Sequence, residues 1–122
     1  MKVKMYCIFA REAIDQMKGI RGKMCAQAGH AFVHCGWLAA KEFPEHLTAY
    51  MNSDHAFKIV LIVDTVEQLK ELQKAYENKC ATRLVTDKGF TVFDGPTTTC
   101  LGIGPIPEDL IGADIKALKT FS

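Results

Sequence analysis

Short apolar runs alternate with helical patterns along the first half of this chain. Lys4–Ala10 is almost continuously apolar, which is typical of a strand buried on both faces. From Lys23 onward, apolar or small residues recur every three or four positions, as a helix with one buried face requires. We expect that face to consist of Met24, Ala28, Ala31, Cys35 and Leu38. Pro44 then predicts the start of a second helix, ending near Asn52, because proline suits the first helical position.

The pattern from Phe57 to Val85 predicts a strand, a helix and a second strand. Phe57–Val63 is apolar and β-branched except at Lys58, as strands commonly are. Thr65 and Gln68 have the capping-box spacing that opens a helix. The predicted buried face of that helix is Val66, Leu69, Leu72 and Tyr76, and Cys80–Val85 is the returning strand. This order predicts a parallel crossover connection.

The last third of the chain predicts one strand and one helix. The connection from Asp87 to Pro96 is too short for a helix, so Thr98–Ile103 is expected to pair antiparallel or to follow a loop. We interpret Gly102–Pro105 as a turn that needs positive φ or close packing and leads into a final helix from Pro107. The inward residues of that helix are expected to be Leu110, Ile111, Ile115 and Leu118.

These elements together predict an α/β fold. We expect a three-layer α/β/α sandwich with a small mixed sheet of about four strands. With 122 residues, the whole range 1–122 is expected to form one domain. Hydrophobic residues at 48% and charged residues at 24% favour an ordinary globular protein over a disordered or fibrous one.

Cysteine usage and hydropathy indicate the compartment. The five cysteines are odd in number and contain no CxxC, so they predict reduced thiols rather than a disulfide framework or a cysteine-based zinc site. The apolar run near the N-terminus ends at Arg11, too short for a signal peptide, and no stretch has the length of a membrane span. We therefore expect a cytoplasmic protein without membrane association.

Charge is distributed unevenly along the chain. Residues 1–23 carry six basic and two acidic side chains, a net of +4, whereas the remainder carries nine basic and twelve acidic, a net of −3. This asymmetry suits binding of an anion such as a phosphate backbone, although a solvated basic segment without a partner fits it equally well. Lys18–Lys23 lacks the spacing of a P-loop, yet Gly22 and Lys23 could bind an anion at a helix start.

Two further constellations favour structural roles. His30 and His34 have an i, i+4 spacing that can bind a metal, but no third ligand is evident nearby, so we expect packing or hydrogen bonding instead. Cys25 or Cys35 could pair with a histidine as a thiol nucleophile. Nothing in the sequence activates either cysteine, so we expect buried structural thiols.

Asp87 follows an apolar run, at the end of a predicted strand where α/β proteins tend to place their sites. Threonine hydroxyls follow at positions 91, 97, 98 and 99. The hypothesis is a site with two halves, Asp87 with these threonines and the basic stretch around Lys23. The alternative is that Asp87 only caps a turn made with Lys88 and Gly89.

Three segments resemble one known family. GKMCAQAGHA at 22–31, DxGxT at 87–91 and TxxLGIGPxPxDLI at 98–111 are similar, in order and spacing, to the archaeal and eukaryotic (type 2) peptidyl-tRNA hydrolases. The resemblance implies an α/β fold with a small mixed sheet and cleavage of the ester between a peptide and the 3′ end of tRNA. It also implies that the reaction uses neither a metal nor a cofactor and that tRNA is the partner. It allows a homodimer.

The resemblance also implies site residues. Its proposed active-site positions fall on Lys23, Asp87, Thr91 and Thr99. Asp87 would orient or deprotonate water, Lys23 would stabilise negative charge, and the threonines would align water or substrate. Substrate-binding positions are expected at Lys18, Arg21, Gln27, His30, Lys88 and Phe90.

The chain departs from the family pattern near Asp87. Phe90 stands where the family has a loop arginine, and Lys88 supplies a charge two positions earlier. Phe90 could stack on a terminal base or simply pack. Two other functions therefore stay open. One is a non-catalytic tRNA- or protein-binding module on the same fold, and the other is a different small-ester or amide hydrolase.

Overall fold

The computed structural model describes residues 1–89 and 95–122, which form a mixed sheet with helices against it. In chain order the elements are β1 Val3–Ala10, α1 Arg11–Gln16, α2 Arg21–Glu42, α3 Pro44–Met51, β2 Lys58–Val63, α4 Val66–Tyr76, β3 Thr82–Asp87, β4 Thr97–Pro107, a 3-10 turn Glu108–Leu110, α5 Ala113–Lys116 and β5 Lys119–Thr120. The five described strands lie in the order β3-β4-β1-β2-β5, one more than the expected four.

The sheet is mixed, as predicted. β1 pairs parallel with β2, while β4 runs antiparallel to both β1 and β3. β1, β2 and β3 therefore all point the same way, and their carboxyl ends lie at one end of the sheet. The short β5 pairs antiparallel with β2 at the far edge.

Alternating side chains of β1 build a core on each face of the sheet. Tyr6 and Ile8 belong to a cluster with Leu69 of α4, whereas Cys7 and Phe9 belong to a cluster with Ala31 of α2. Because successive strand residues point to opposite faces, a nearly continuous apolar strand must be covered on both. The α/β architecture with helices on both faces is confirmed.

The predicted helices begin close to their expected positions. α2 begins at Arg21, α3 begins at Pro44, and Thr65 with Gln68 forms the capping box of α4. The short α1 was not predicted, because its sequence lacks an apolar repeat. No helix within the described ranges is both long and apolar enough to cross a membrane.

The prediction of a turn at Gly102–Pro105 is wrong, since these residues lie inside β4. Both glycines are needed there for close approach. A Cβ on Gly102 would lie 2.8 Å from the carbonyl oxygen of Ala31, so α2 packs directly on the strand. Gly104 has φ +113° beside the irregular pairing with Lys4.

The prediction of one long C-terminal helix is also wrong. The 3-10 turn and the four-residue α5 are separated at Gly112, whose N–H donates to the hydroxyl of Tyr76, and that hydroxyl donates to Asp114 Oδ1. Ile111 and Ile115 are buried as expected, but Leu110 is exposed. The tyrosine on α4 thus holds the break, an interaction that helical periodicity does not encode.

Candidate active site

The two halves of the predicted site meet at the end of the sheet where the parallel strands finish. Lys23 lies in the first turn of α2, Asp87 is the last residue of β3, and Thr99 lies near the start of β4. Lys23 Nζ forms an ion pair with Asp87 Oδ2. The side chain of Asp87 is 7% exposed and that of Lys23 is 20% exposed.

A directed hydrogen-bond network runs from Thr99 to Asp87 through Gln27. The hydroxyl of Thr99 donates to Gln27 Oε1 at 2.8 Å, and Gln27 Nε2 donates to Asp87 Oδ2 at 3.1 Å. The backbone N–H of Gly89 donates to the other carboxylate oxygen at 2.7 Å. Donor and acceptor thus alternate without conflict, and the amide of Gln27 has one satisfactory orientation.

A β-bulge at Thr99 makes this network possible. β3 and β4 pair Val85 with Cys100 and then Thr86 with Thr98, so Thr99 is an extra residue in β4. In a regular strand Thr99 and Cys100 would point to opposite faces. Here the Thr99 hydroxyl reaches the Gln27 side chain while Cys100 Sγ contacts the Gln27 carbonyl oxygen at 3.6 Å, so both approach α2.

Asp87 is held in its charged form. The hydrogen bond from Lys23 lowers the pKa of Asp87 below its usual value of 3.8, and the N–H of Gly89 and the amide of Gln27 add to this against the opposing effect of burial. A carboxylate offers about four acceptor sites, of which the described residues occupy three. Asp87 is therefore a weak base, and the described residues leave one acceptor site on it for water or substrate.

A cleft of about 450 Å³ opens beside this network, between α2 and the edge strand β3. Its walls include Lys23, Gln27, His30 and His34 from α2 and Arg83, Thr86, Asp87 and Lys88 from β3 and the residue after it. Among the described residues, three basic side chains thus face one carboxylate. The cleft is suited to an anionic ligand.

The expected substrate-binding residues divide into several groups. His30 and Lys88 line the cleft, whereas Gln27 is only 3% exposed and lies inside the network. Lys18 and Arg21 are exposed around the start of α2, outside the cleft lining. Phe90 and Thr91 lie outside the described residues.

Among the residues that line the cleft, sequence reasoning missed His34 and Arg83 as candidates for substrate binding. His34 was considered as a metal ligand and assigned to packing or hydrogen bonding, although it lies one helical turn from His30 on the same flank of α2. Arg83 lines the cleft from the middle of β3. The alternation of side chains along β3 relates Arg83 to Asp87, four positions later, and this signal could have identified it.

The alternative chemistries find little support in this geometry. Within residues 1–89 and 95–122, no three His, Cys, Asp or Glu side chains are grouped as a metal site. Cys35 is buried and its pKa is raised to about 12 by that burial, so its thiol stays protonated. The expectation of a buried thiol is wrong for Cys25, which is exposed because it lies on the solvent side of α2.

The family model and the relatives that match this chain all point to one family. Residues 3–121 match the model of the family described as peptidyl-tRNA hydrolase PTH2. A peptidyl-tRNA hydrolase of Thermococcus onnurineus is 35% identical, over 84% of this chain and 87% of its own. One of Thermococcus sibiricus is 32% identical, over 86% and 89%. A protein of Schizosaccharomyces pombe named "Probable peptidyl-tRNA hydrolase 2" is 34% identical, over 83% of this chain and 49% of its own. The chain belongs to the peptidyl-tRNA hydrolase PTH2 family.

Proposed function

We propose that this protein is a hydrolase that cleaves the ester bond between peptide and tRNA in peptidyl-tRNA, releasing both. Family membership supports the reaction class. The observation that carries the proposal is the ion pair of Lys23 with Asp87 at the wall of a cationic cleft. Such a cleft suits the phosphates of tRNA, and the ion pair places a cation where an ester could react.

Ester hydrolysis develops negative charge on the former carbonyl oxygen, and Lys23 is the group suited to stabilise it. Its ammonium lines the cleft and is fixed by Asp87 rather than free to rotate. A charge that is already oriented costs little reorganisation as the oxyanion forms, which is the main source of electrostatic catalysis. Lys23 is therefore assigned the direct contact with the reacting ester.

Asp87 is assigned to holding Lys23 and to orienting the attacking water. Its lowered pKa makes it a poor proton acceptor, because an effective general base has a pKa closer to the working pH. The acceptor site that the described residues leave open on the carboxylate can hold a water through a charge-assisted hydrogen bond. Between the two roles that the resemblance implies for Asp87, the orienting one is favoured.

Thr99 and Gln27 act through Asp87 rather than on the substrate. Thr99 has no exposed surface, and its hydroxyl is committed to Gln27. Gln27 in turn directs its amide N–H at the carboxylate. Both are positioning residues. Thr91, in the segment outside the described residues, keeps the role in aligning water or substrate that the resemblance implies.

With peptidyl-tRNA as the substrate, tRNA is the partner that binds this cleft, and translation is the process in which the protein acts. We place the protein in the cytoplasm, where peptidyl-tRNA is produced. A homodimer stays a prediction from the family resemblance, and analytical ultracentrifugation of the purified chain would test it. A single species with twice the mass of the 13.5 kDa chain is the expected result.

Turnover of a purified peptidyl-tRNA tests the proposal, in parallel reactions with and without a chelator. Equal release of free tRNA in both is expected, since the assigned chemistry uses side chains alone. Binding of the tRNA without release would instead favour the non-catalytic module. Absence of both, together with cleavage of a small ester, would favour a different hydrolase.

A further inference from the structure

One flank of α2 carries a stripe of cationic and aromatic side chains that the proposed chemistry uses only at its beginning. Lys23, His30, His34 and Trp37 follow one another at spacings of seven, four and three residues, which places them on one side of a helix. The first three line the cleft. Trp37 lies about one helical turn beyond His34 and stacks on it, so the stripe extends past the residues that line the cleft.

Trp37 is unusual for its exposure and its partner. Its side chain is 65% exposed, and its ring stacks on the imidazole of His34 with 5.0 Å between centroids and 22° between planes. A large aromatic side chain left in water is more informative than an exposed aliphatic one, because Trp normally buries much of its surface. With one face of the indole against His34, its other face is left to solvent, next to the cleft that His34 lines.

The charges around this surface are positive. Arg83 lines the cleft opposite His34, and within the described ranges neither Arg83 nor Lys88 forms an ion pair. Partial burial lowers the pKa of His34, and the positive charge of Arg83 and the neighbouring imidazole of His30 lower it further. The lowered pKa favours the uncharged imidazole, which stacks on Trp37, while Arg83 is available for a phosphate.

The distances along the elements suit a short single strand. From Lys23 to Trp37 the helix rises about 21 Å, at about 1.5 Å per residue. A stacked strand advances about 3.4 Å per nucleotide, so several unpaired nucleotides fit between the reacting ester and Trp37. Cations along the backbone path with aromatic rings for the bases are the usual combination for binding single-stranded nucleic acid.

We propose that His34 and Trp37 form a stacking platform for an unpaired nucleobase near the 3′ end of the substrate tRNA, with Arg83 contacting a neighbouring phosphate. The inference rests on the proposed function, which puts the 3′ ester at Lys23. It assigns the α2–β3 cleft to the RNA part of the substrate. The peptide must then leave the reaction centre in another direction.

Trp37 is the single tryptophan of the chain, so its fluorescence reports the contact directly. The full chain is titrated with a short single-stranded RNA that has the sequence of a tRNA 3′ end, and with a short N-acetylated peptide. Saturable quenching by the RNA, weaker at higher salt, is expected. Quenching by the peptide alone, or by neither, would overturn the platform.

Variants separate stacking from general surface effects. Labelled-RNA anisotropy is expected to show about tenfold weaker binding for Trp37→Ala, a small loss for Trp37→Phe, which keeps a ring, and no change for Phe57→Ala. Phe57 is a matched control because it is an aromatic side chain 52% exposed, just before β2 at the opposite end of the sheet. Equal RNA affinity for wild type and Trp37→Ala would refute the proposal.

Kinetics keep this inference distinct from the hydrolase assignment. With peptidyl-tRNA, Trp37→Ala is expected to lower kcat/KM about tenfold, mainly through a higher KM. If the wild-type protein hydrolyses peptidyl-tRNA and Trp37→Ala does so with the same KM, the platform is rejected and the hydrolase assignment is kept. RNA quenching without any hydrolysis would reject the hydrolase and keep the platform. A dimer that dissociates in Trp37→Ala without a change in RNA affinity would assign the surface to a second copy of the chain.

Discussion

Replacing Gln27 gives the sharpest view of how the site is held together. Gln27→Met keeps the side-chain volume but removes both hydrogen bonds, the one to the charged Asp87 and the one from Thr99. A hydrogen bond to a charged group contributes about 1.5–3 kcal/mol and a neutral one about 1 kcal/mol. Asp87 keeps Lys23 and Gly89 as partners, which reduces the loss. We therefore expect about 2–4 kcal/mol lower stability, and a Tm lower by roughly 10 °C.

Gln27→Glu is the matched variant, because it keeps the side-chain shape and replaces the amide N–H that donates to Asp87 by a carboxyl oxygen. At neutral pH it places a second carboxylate beside Asp87, and like charges this close disfavour each other and raise one of the two pKa values. On acidification the new carboxyl group gains a proton and can donate to Asp87, as the amide did. Gln27→Glu should therefore approach wild-type stability as pH falls toward about 5, whereas Gln27→Met should stay equally far below wild type.

Thermal unfolding between pH 5 and 8, together with kcat and KM on peptidyl-tRNA, measures these effects. Because Gln27 is buried and holds Asp87, kcat should fall more than KM rises in both variants at neutral pH. A Tm within about 2 °C of wild type for Gln27→Met, with unchanged kcat, would refute the network as a source of either stability or activity.

Two further predictions concern the packing of β4 and the charge of Asp87. Gly102→Ala should destabilise the chain by about 1–3 kcal/mol in urea unfolding, because the new Cβ would lie 2.8 Å from the backbone oxygen of Ala31. Gly29→Ala is the control, since the space around Gly29 in α2 is open, and it should stabilise the chain by up to about 1 kcal/mol. Equal effects of the two substitutions would contradict the close packing of α2 on β4. The pKa of Asp87 is lowered on folding, so its contribution to stability is present above its unfolded value of 3.8 and is lost as pH falls through the lower folded value. Wild type should therefore be more stable than Asp87→Asn at pH 6, and the difference should shrink as pH falls below 3.8, whereas a difference that grows in acid would contradict the assignment.

Local sequence patterns predicted most of the architecture. The capping box of Thr65 and Gln68, the proline at position 44 and the apolar run of β1 each determine backbone structure through neighbouring residues, and all are confirmed. Gly102 was misassigned to a turn because a glycine needed for close helix packing has the same sequence signature as one needed for chain reversal.

The site was only partly predictable for the same physical reason. Family spacing selected Lys23 and Asp87, which the fold brings together, but the same resemblance placed Gln27 at a substrate-binding position rather than in a buried network. The bulge that turns Thr99 toward α2 depends on strand register, which the sequence of β4 alone does not specify. Arg83 and Trp37 became relevant only once α2 lay beside β3.

The catalytic assignment of the Lys23–Asp87 pair is tested most directly by Asp87→Asn. This substitution keeps the shape, removes the charge that fixes Lys23, and is compared with Asp109→Asn, an exposed aspartate outside the cleft. The measurement is kcat/KM for peptidyl-tRNA hydrolysis, with circular dichroism to confirm folding. We expect a loss of about 10²–10³-fold for Asp87→Asn and wild-type turnover for Asp109→Asn. A folded Asp87→Asn protein with wild-type turnover would contradict the proposed site.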